Sequence, residues 1–276
     1  MKKEFFPKPC SFNDLEAMAK RLRLTPMVKH VADLANDEQT LGWSIAQWLS
    51  VIFKTEIERR DTLALNRHLK EAEVSFEDAC YNRIDWSPER MLDAVKINNI
   101  FSLQWIERKQ NCIITGSTGC GKSWLASAIA VEACLKGYKV RCFRMHALLR
   151  QHERFQDSVS AEKDLQAKFV KDLSKLDVIV VDDWLTGLGS QGMERKHRAG
   201  LLNIITQCDR KVSFVLVGVP PVSAWTTAIG DVEIADSVQD RLVQRALRLE
   251  LKGPSMRARK EYGGLPEESG ANQDST

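Results

Sequence analysis

The chain has 276 residues, 43% hydrophobic and 28% charged, which is the make-up of an ordinary globular protein and is long enough for one substantial core plus a smaller unit. A formal net charge of +3 is too small to identify a nucleic-acid binder, and no apolar run approaches the roughly 20 residues of a membrane span. The N-terminus lacks a signal peptide's apolar core, so the expectation is a cytoplasmic protein with no membrane partner.

Residues 1 to about 75 read as a helical domain. Leu15 to Leu24 and Val28 to Leu34 are short helical candidates broken near Pro26. Ile45, Trp48, Leu49 and Ile52 then recur at i, i+3, i+4 and i+7, and Phe53 and Ile57 extend the stripe. Charge is balanced here, with 12 Lys and Arg against 11 Asp and Glu over residues 1–73. The domain either packs its own core or docks a partner protein. A polar segment, Lys70 to Pro88, leads to a helix expected from Pro88 to about Ile97, with Ser87 as cap and Pro88 at the first position.

Next comes a β-type run, Asn111 to Thr115, which enters Gly116, Ser117, Thr118, Gly119, Cys120, Gly121, Lys122, Ser123 and Trp124 at the start of an apolar helix that stops at Gly137. Glycines permit the backbone angles of a phosphate cradle, whose N–H groups and helix N-terminus suit a polyphosphate. Lys122 would reach the β/γ-phosphates and the Ser123 hydroxyl would ligate Mg²⁺, so ATP and Mg²⁺ are the expected cofactors. Cys120 either offers a thiol whose alkylation blocks nucleotide or is only a small residue in the loop.

Beyond Gly137, strand and helix signals alternate. Strands are expected at Val140–Phe143, Asp177–Val181, Val212–Val217 and Ala246–Leu251, and helices at His146 to about Val170 and Leu201–Gln207. That pattern is an α/β fold of the P-loop NTPase class, a mostly parallel sheet flanked by helices, with ligands at the carboxyl ends of the strands. Asp182-Asp183 follows the second of these strands, 60 residues after Lys122. A buried strand would hold Asp182 at the metal's water shell, and Asp183 would polarise a water for attack on the γ-phosphate. The spacing implies a further strand inserted between the two motif strands. Asp240-Arg241 closes a helix opened near Asp231 and Asp236; Arg241 is either a surface salt bridge or a group that neutralises transition-state charge from a neighbouring subunit. The seven cysteines (10, 80, 112, 120, 134, 142, 208) show no C-x-x-C pair and no clustered histidines, and are expected as reduced, mostly buried thiols.

Together, Gly116 to Ser123, Asp182-Asp183-Trp184, Pro221-Val222-Ser223-Ala224-Trp225 with Ile229-Gly230-Asp231, Ile234-Ala235-Asp236 through Asp240-Arg241-Leu242-Val243, Leu249 to Gly253 and Ser255-Met256-Arg257 resemble the IstB-type helper ATPases of bacterial insertion sequences, an AAA+ branch related to the DnaC-type helicase loaders. The likeness runs from about residue 15 to 260. With the helical domain read over 1–75, it implies an AAA+ ATPase domain over 76–262 that works as a head-to-tail oligomer, while the Gly-, Ser-, Asn- and acid-rich composition of 263–276 leads to the expectation of a disordered tail. It also implies sequence-nonspecific DNA binding, a transposase partner, and Arg241 as an arginine finger. Three positions depart from the family pattern. Gly218 stands where a polar γ-phosphate sensor is usual, Leu185 where Gly is common after Trp184, and Asp183 where many AAA+ proteins carry Glu.

Positive charge gathers at residues 139–175, with 9 Lys and Arg against 5 Asp and Glu, and at 241–261, with 7 against 2. Arg144, Arg150 and Arg154 are the candidate contacts to DNA phosphates, or belong to a solvated charged face. Alternatives to the transposition helper are a helicase loader, a P-loop small-molecule kinase and an ATP-gated scaffold that barely hydrolyses.

Overall fold

Runs of β-branched residues bounded by turn signals build a five-stranded sheet in the computed structural model, which describes residues 11–35, 37–154, 163–188 and 192–256. The chain divides into two compact units between residues 67 and 68.

In the first unit α1 (Phe12–Leu22) opens with a capping box: the Ser11 hydroxyl accepts from the Asp14 N–H at 3.3 Å and the Asp14 carboxylate accepts from the Ser11 N–H at 3.0 Å. Arg23, with φ 57°, ends it, and α2 (Thr25–Ala35) starts at once. Pro26 therefore sits in the first turn of α2, where its missing N–H costs nothing. The stripe from Ile45 lies on α3 (Ile45–Ala72), a helix of 28 residues. Ser44 and Gln47 cap its start reciprocally. The Glu56 carboxylate on this helix receives Arg59 and Arg60, which hold its pKa down to about 2.

The second unit begins with two corrections to the expected helix after Ser87. Only the turn Pro88–Arg90 forms, because Met91 takes φ 46° and leaves the helical path. Ser87 makes no side-chain cap; Asp93 does, accepting from the Lys96 N–H at 3.0 Å to open α4 (Ala94–Phe101), followed by the single turn α5 (Gln104–Glu107). The order from there is β1 (Cys112–Gly116), α6 (Lys122–Leu135), β2 (Val140–Arg144), α7 (Met145–Arg154), α8 (Lys163–Leu173), β3 (Val178–Asp182), α9 (Arg195–Cys208), β4 (Ser213–Gly218), α10 (Trp225–Ile229), α11 (Val232–Val243) and β5 (Leu247–Leu251). Of the helix expected from His146 to about Val170, α7 up to Arg154 and α8 from Lys163 are described, and residues 155–162 between them lie outside the described residues. Cys10 and the tail over 263–276 also lie outside them.

All strand pairings are parallel, in the order β2-β3-β4-β1-β5. β4 thus separates β1 from β3, which is the inserted strand that the motif spacing implied. Val178, Ile179, Val180 and Val181 are all buried, as a strand covered on both faces requires, and each stabilises by about 1.5–3 kcal/mol. One face packs Phe143, Leu148, Ile179, Val181, Leu201, Ile204, Phe214 and Trp225 in a single cluster. On the other face α6 is buried along most of its length, Leu125 to Cys134. Burial drives the Cys112 and Cys142 thiols up to about 12 and Cys134 and Cys208 to about 11, so they stay protonated; the six described cysteines are free.

Candidate nucleotide-binding site

β1 ends at Gly116 and α6 begins at Lys122, so the intervening loop sits at the carboxyl edge of the sheet, where helix and strand ends converge. Gly121 takes φ 90° as the residue before the helix, a conformation that favours glycine. Lys122 is only 9% exposed, and its ammonium donates to the carbonyls of Gly116 at 3.0 Å and Ser117 at 2.7 Å. The cation is thus folded back into the loop.

Ser123, the next residue, lines a polar cavity of about 110 Å³ together with Asp182, Glu73, Ser75, Ser127 and Arg144. The sequence pair Ser123 and Asp182, 59 positions apart, meets in one space because β3 and α6 end and begin at the same edge. Among the described residues no group of three or more His, Cys, Asp or Glu could hold a metal ion alone. One hydroxyl and one carboxylate beside a phosphate loop do fit Mg²⁺, which keeps most of its waters and takes phosphate oxygens for the rest.

Asp183 faces elsewhere. Its carboxylate is exposed and lines a second, more apolar cavity of about 330 Å³ with Met145, Leu149, Arg150, Thr186, Met193 and His197, while Asp182 accepts the Asp183 N–H at 2.9 Å. The turn that begins at Asp183 is tight: Asp183 has φ 55° and Leu185 φ 51°. Leu185 therefore occupies a glycine-like conformation, and burial of its side chain at 2% exposure offsets that strain. The same turn accounts for Gly218. The Trp184 N–H donates to Val217 at 2.7 Å, and a Cβ on Gly218 would fall inside van der Waals contact of the Trp184 carbonyl oxygen. A polar sensor side chain has no room there.

Arg241 is not brought to the loop of its own chain. Its guanidinium donates to Ser237 one turn earlier, at 2.8 Å to the carbonyl, and its own carbonyl accepts from Asn111 at the entry of β1. Arg144 ends β2 in register with Asp182 and lines the first cavity, whereas Arg150 lines the second; Arg154 is exposed at the end of α7. Cys120 is 1% exposed, which removes the alkylation reading and leaves a packed small residue. Of Thr118, Gly119 and Trp124, Gly119 has the informative contact: its carbonyl accepts the Met256 N–H at 2.8 Å, so the segment after β5 closes over the loop. Sequence reasoning missed that segment as a wall of the site, and missed Arg90, whose guanidinium donates to the Cys120 carbonyl at 3.2 Å.

The sequence profile of the IstB-like ATP binding protein family matches residues 17–263. The insertion sequence ATP-binding protein y4uH of Sinorhizobium fredii is 30% identical over 240 residues, covering 87% of this chain and 93% of its own. The IS21 ATP-binding protein of Pseudomonas aeruginosa is 23% identical over 245 residues, 89% of each chain. Among solved structures, the DnaC helicase loader is similar over 56% of this chain and 86% of its own, at 21% identity and a TM-score of 0.44. Domain III of the Thermotoga maritima replication initiation protein DnaA matches 69% of this chain and 77% of its own, at 16% identity and a TM-score of 0.49.

Proposed function

The chain belongs to the family of IstB-like ATP-binding proteins of insertion sequences, and from that premise we propose that it hydrolyses ATP with Mg²⁺ to direct or stimulate a partner transposase on DNA. The observation that carries this reading is the meeting of Ser123 and Asp182 in one polar cavity at the carboxyl edge of the sheet, beside the Lys122 loop. In the proposal, Lys122 exchanges the Gly116 and Ser117 carbonyls for β- and γ-phosphate oxygens, which are stronger acceptors for an ammonium. Ser123 and Asp182 hold the metal side. Asp183, the residue after Asp182, orients the attacking water. Arg241 completes the site of the next subunit in a head-to-tail assembly.

DNA is held through phosphates. Arg150 and Arg154 lie four residues apart on α7, both exposed, and contacts of this kind bind without reading sequence and weaken steeply with salt. The helical unit before residue 68 docks the transposase, and the protein works in the cytoplasm. Among the described residues no helix is long and apolar enough to cross a membrane.

The test is ATPase rate per subunit against protein concentration, with and without duplex DNA. A rate that rises with both supports an assembly-dependent, DNA-coupled ATPase. A rate flat in both overturns it in favour of an isolated enzyme.

A further inference from the structure

Arg90 touches the phosphate loop from outside the motif. It lies in the turn Pro88–Arg90 and is 9% exposed. Its Nη2 donates to the Cys120 carbonyl at 3.2 Å and would stand 3.1 Å from a Cβ on Gly121, while a Cβ on Gly253 would stand 3.0 Å from the Arg90 Cα. The side chain therefore lies against the loop, while the Arg90 main chain lies against Gly253 in the segment that follows β5.

Two features exceed what a brace needs. The Arg90 Nε is buried with no hydrogen-bond partner, and among the described residues no carboxylate pairs with the guanidinium. A buried cation without a counter-charge is costly, and that cost falls when an anion arrives nearby. The second feature is directional. The Cys120–Gly121 peptide is trans, like every peptide described, so its oxygen and its N–H point to opposite sides of one plane. Anchoring the oxygen on Arg90 turns the Gly121 N–H away from Arg90.

We propose that Arg90 is a positioning residue for the polyphosphate: by holding the Cys120 carbonyl it aims the Gly121 N–H into the loop, and its unpaired charge is compensated by the bound phosphates. This rests on the phosphate-loop reading above. The effect is carried through the loop's main chain, so it concerns phosphates and not the base.

The experiment measures affinity of the full chain for inorganic tripolyphosphate and for ATP by calorimetry, beside the melting temperature without ligand. Arg90→Met is expected to weaken both ligands about tenfold, a loss of about 1.4 kcal/mol, while the ligand-free melting temperature changes little. A merely structural role would lower the melting temperature and leave tripolyphosphate affinity of the folded protein unchanged, which overturns the proposal. If Arg90→Met fails to fold, Arg90→Lys decides: it keeps the charge but loses the fork. A loss of about threefold at unchanged melting temperature supports the assignment, and unchanged affinity overturns it. Lys122→Ala run in parallel separates the two failures. If it binds ATP normally, the phosphate-loop reading falls; if it loses ATP while the Arg90 variants do not, only Arg90's role falls.

Discussion

The Asn111 side-chain amide donates to the main-chain carbonyl of Arg241 at 3.2 Å and to that of Leu242 at 3.1 Å. Asn111 enters β1 and the phosphate loop leaves it, so these bonds fix the end of α11 at the opposite edge of the sheet, roughly 16 Å from Gly116 at the rise of a strand. An arginine held there serves another subunit or none. Arg241→Ala is expected to leave ATP affinity intact and to slow hydrolysis about 10³-fold or more, the scale of an arginine finger. Mixing Arg241→Ala with Lys122→Ala should restore part of the rate, because each supplies what the other lacks. An unchanged rate for Arg241→Ala, measured by phosphate release, would return it to a local bond with Ser237.

Lys122→Ala is expected to weaken ATP binding by at least about tenfold, since it removes charged hydrogen bonds worth about 1.5–3 kcal/mol each. The ligand-free protein should lose little stability, because Lys122 bonds only carbonyls of its own loop. Titration of a fluorescent ATP analogue together with a melting curve checks both halves.

Asp183→Asn is expected to bind ATP as the parent does and to turn it over about 10²- to 10⁴-fold more slowly, the usual share of a positioned general base. Single-turnover hydrolysis read beside ATP affinity separates this from loss of Asp182, whose replacement by Asn should weaken the Mg²⁺ dependence of binding. Equal effects of the two substitutions on affinity would contradict the division of labour between two cavities.

Gly218→Ser places a Cβ against the Trp184 carbonyl and is expected to destabilise by about 1–3 kcal/mol, as overpacking does, without raising the hydrolysis rate. Denaturant unfolding and a steady-state rate decide it. A faster, equally stable variant would mean that the turn can yield and that a sensor hydroxyl was simply missing.

His152 supplies a pH prediction. It is buried, with Gln166 and Asn203 side-chain nitrogens at 3.1 Å from its Nε2, and burial holds its pKa below the ordinary 6.5. Below pH 6.5 the unfolded chain takes up a proton that the folded ring resists, so stability is full above 6.5 and falls as the pH drops beneath it. Denaturation midpoints between pH 5 and 8 should show this slope, and His152→Gln should flatten it.

Much of the site was legible because its parts are local. Gly116 to Ser123 declare a turn geometry within eight residues, and Asp182 is marked by the apolar run before it. Arg90 carries no such mark: it stands thirty residues before the carbonyl it holds, in a turn that reads as a helix start until Met91 is seen at φ 46°. Gly218 and Leu185 looked like unrelated departures from a family pattern. They are one feature, since the turn that forces Leu185 into a left-handed conformation also lowers the Trp184 carbonyl onto Gly218. No periodicity in sequence reports that kind of approach between a loop and a strand end.

Because the Met256 N–H is tied to the Gly119 carbonyl, the segment just after β5 is stitched to the rim of the phosphate loop. A dye placed at position 256 would, by that linkage, be a sensitive witness of what enters and leaves the loop.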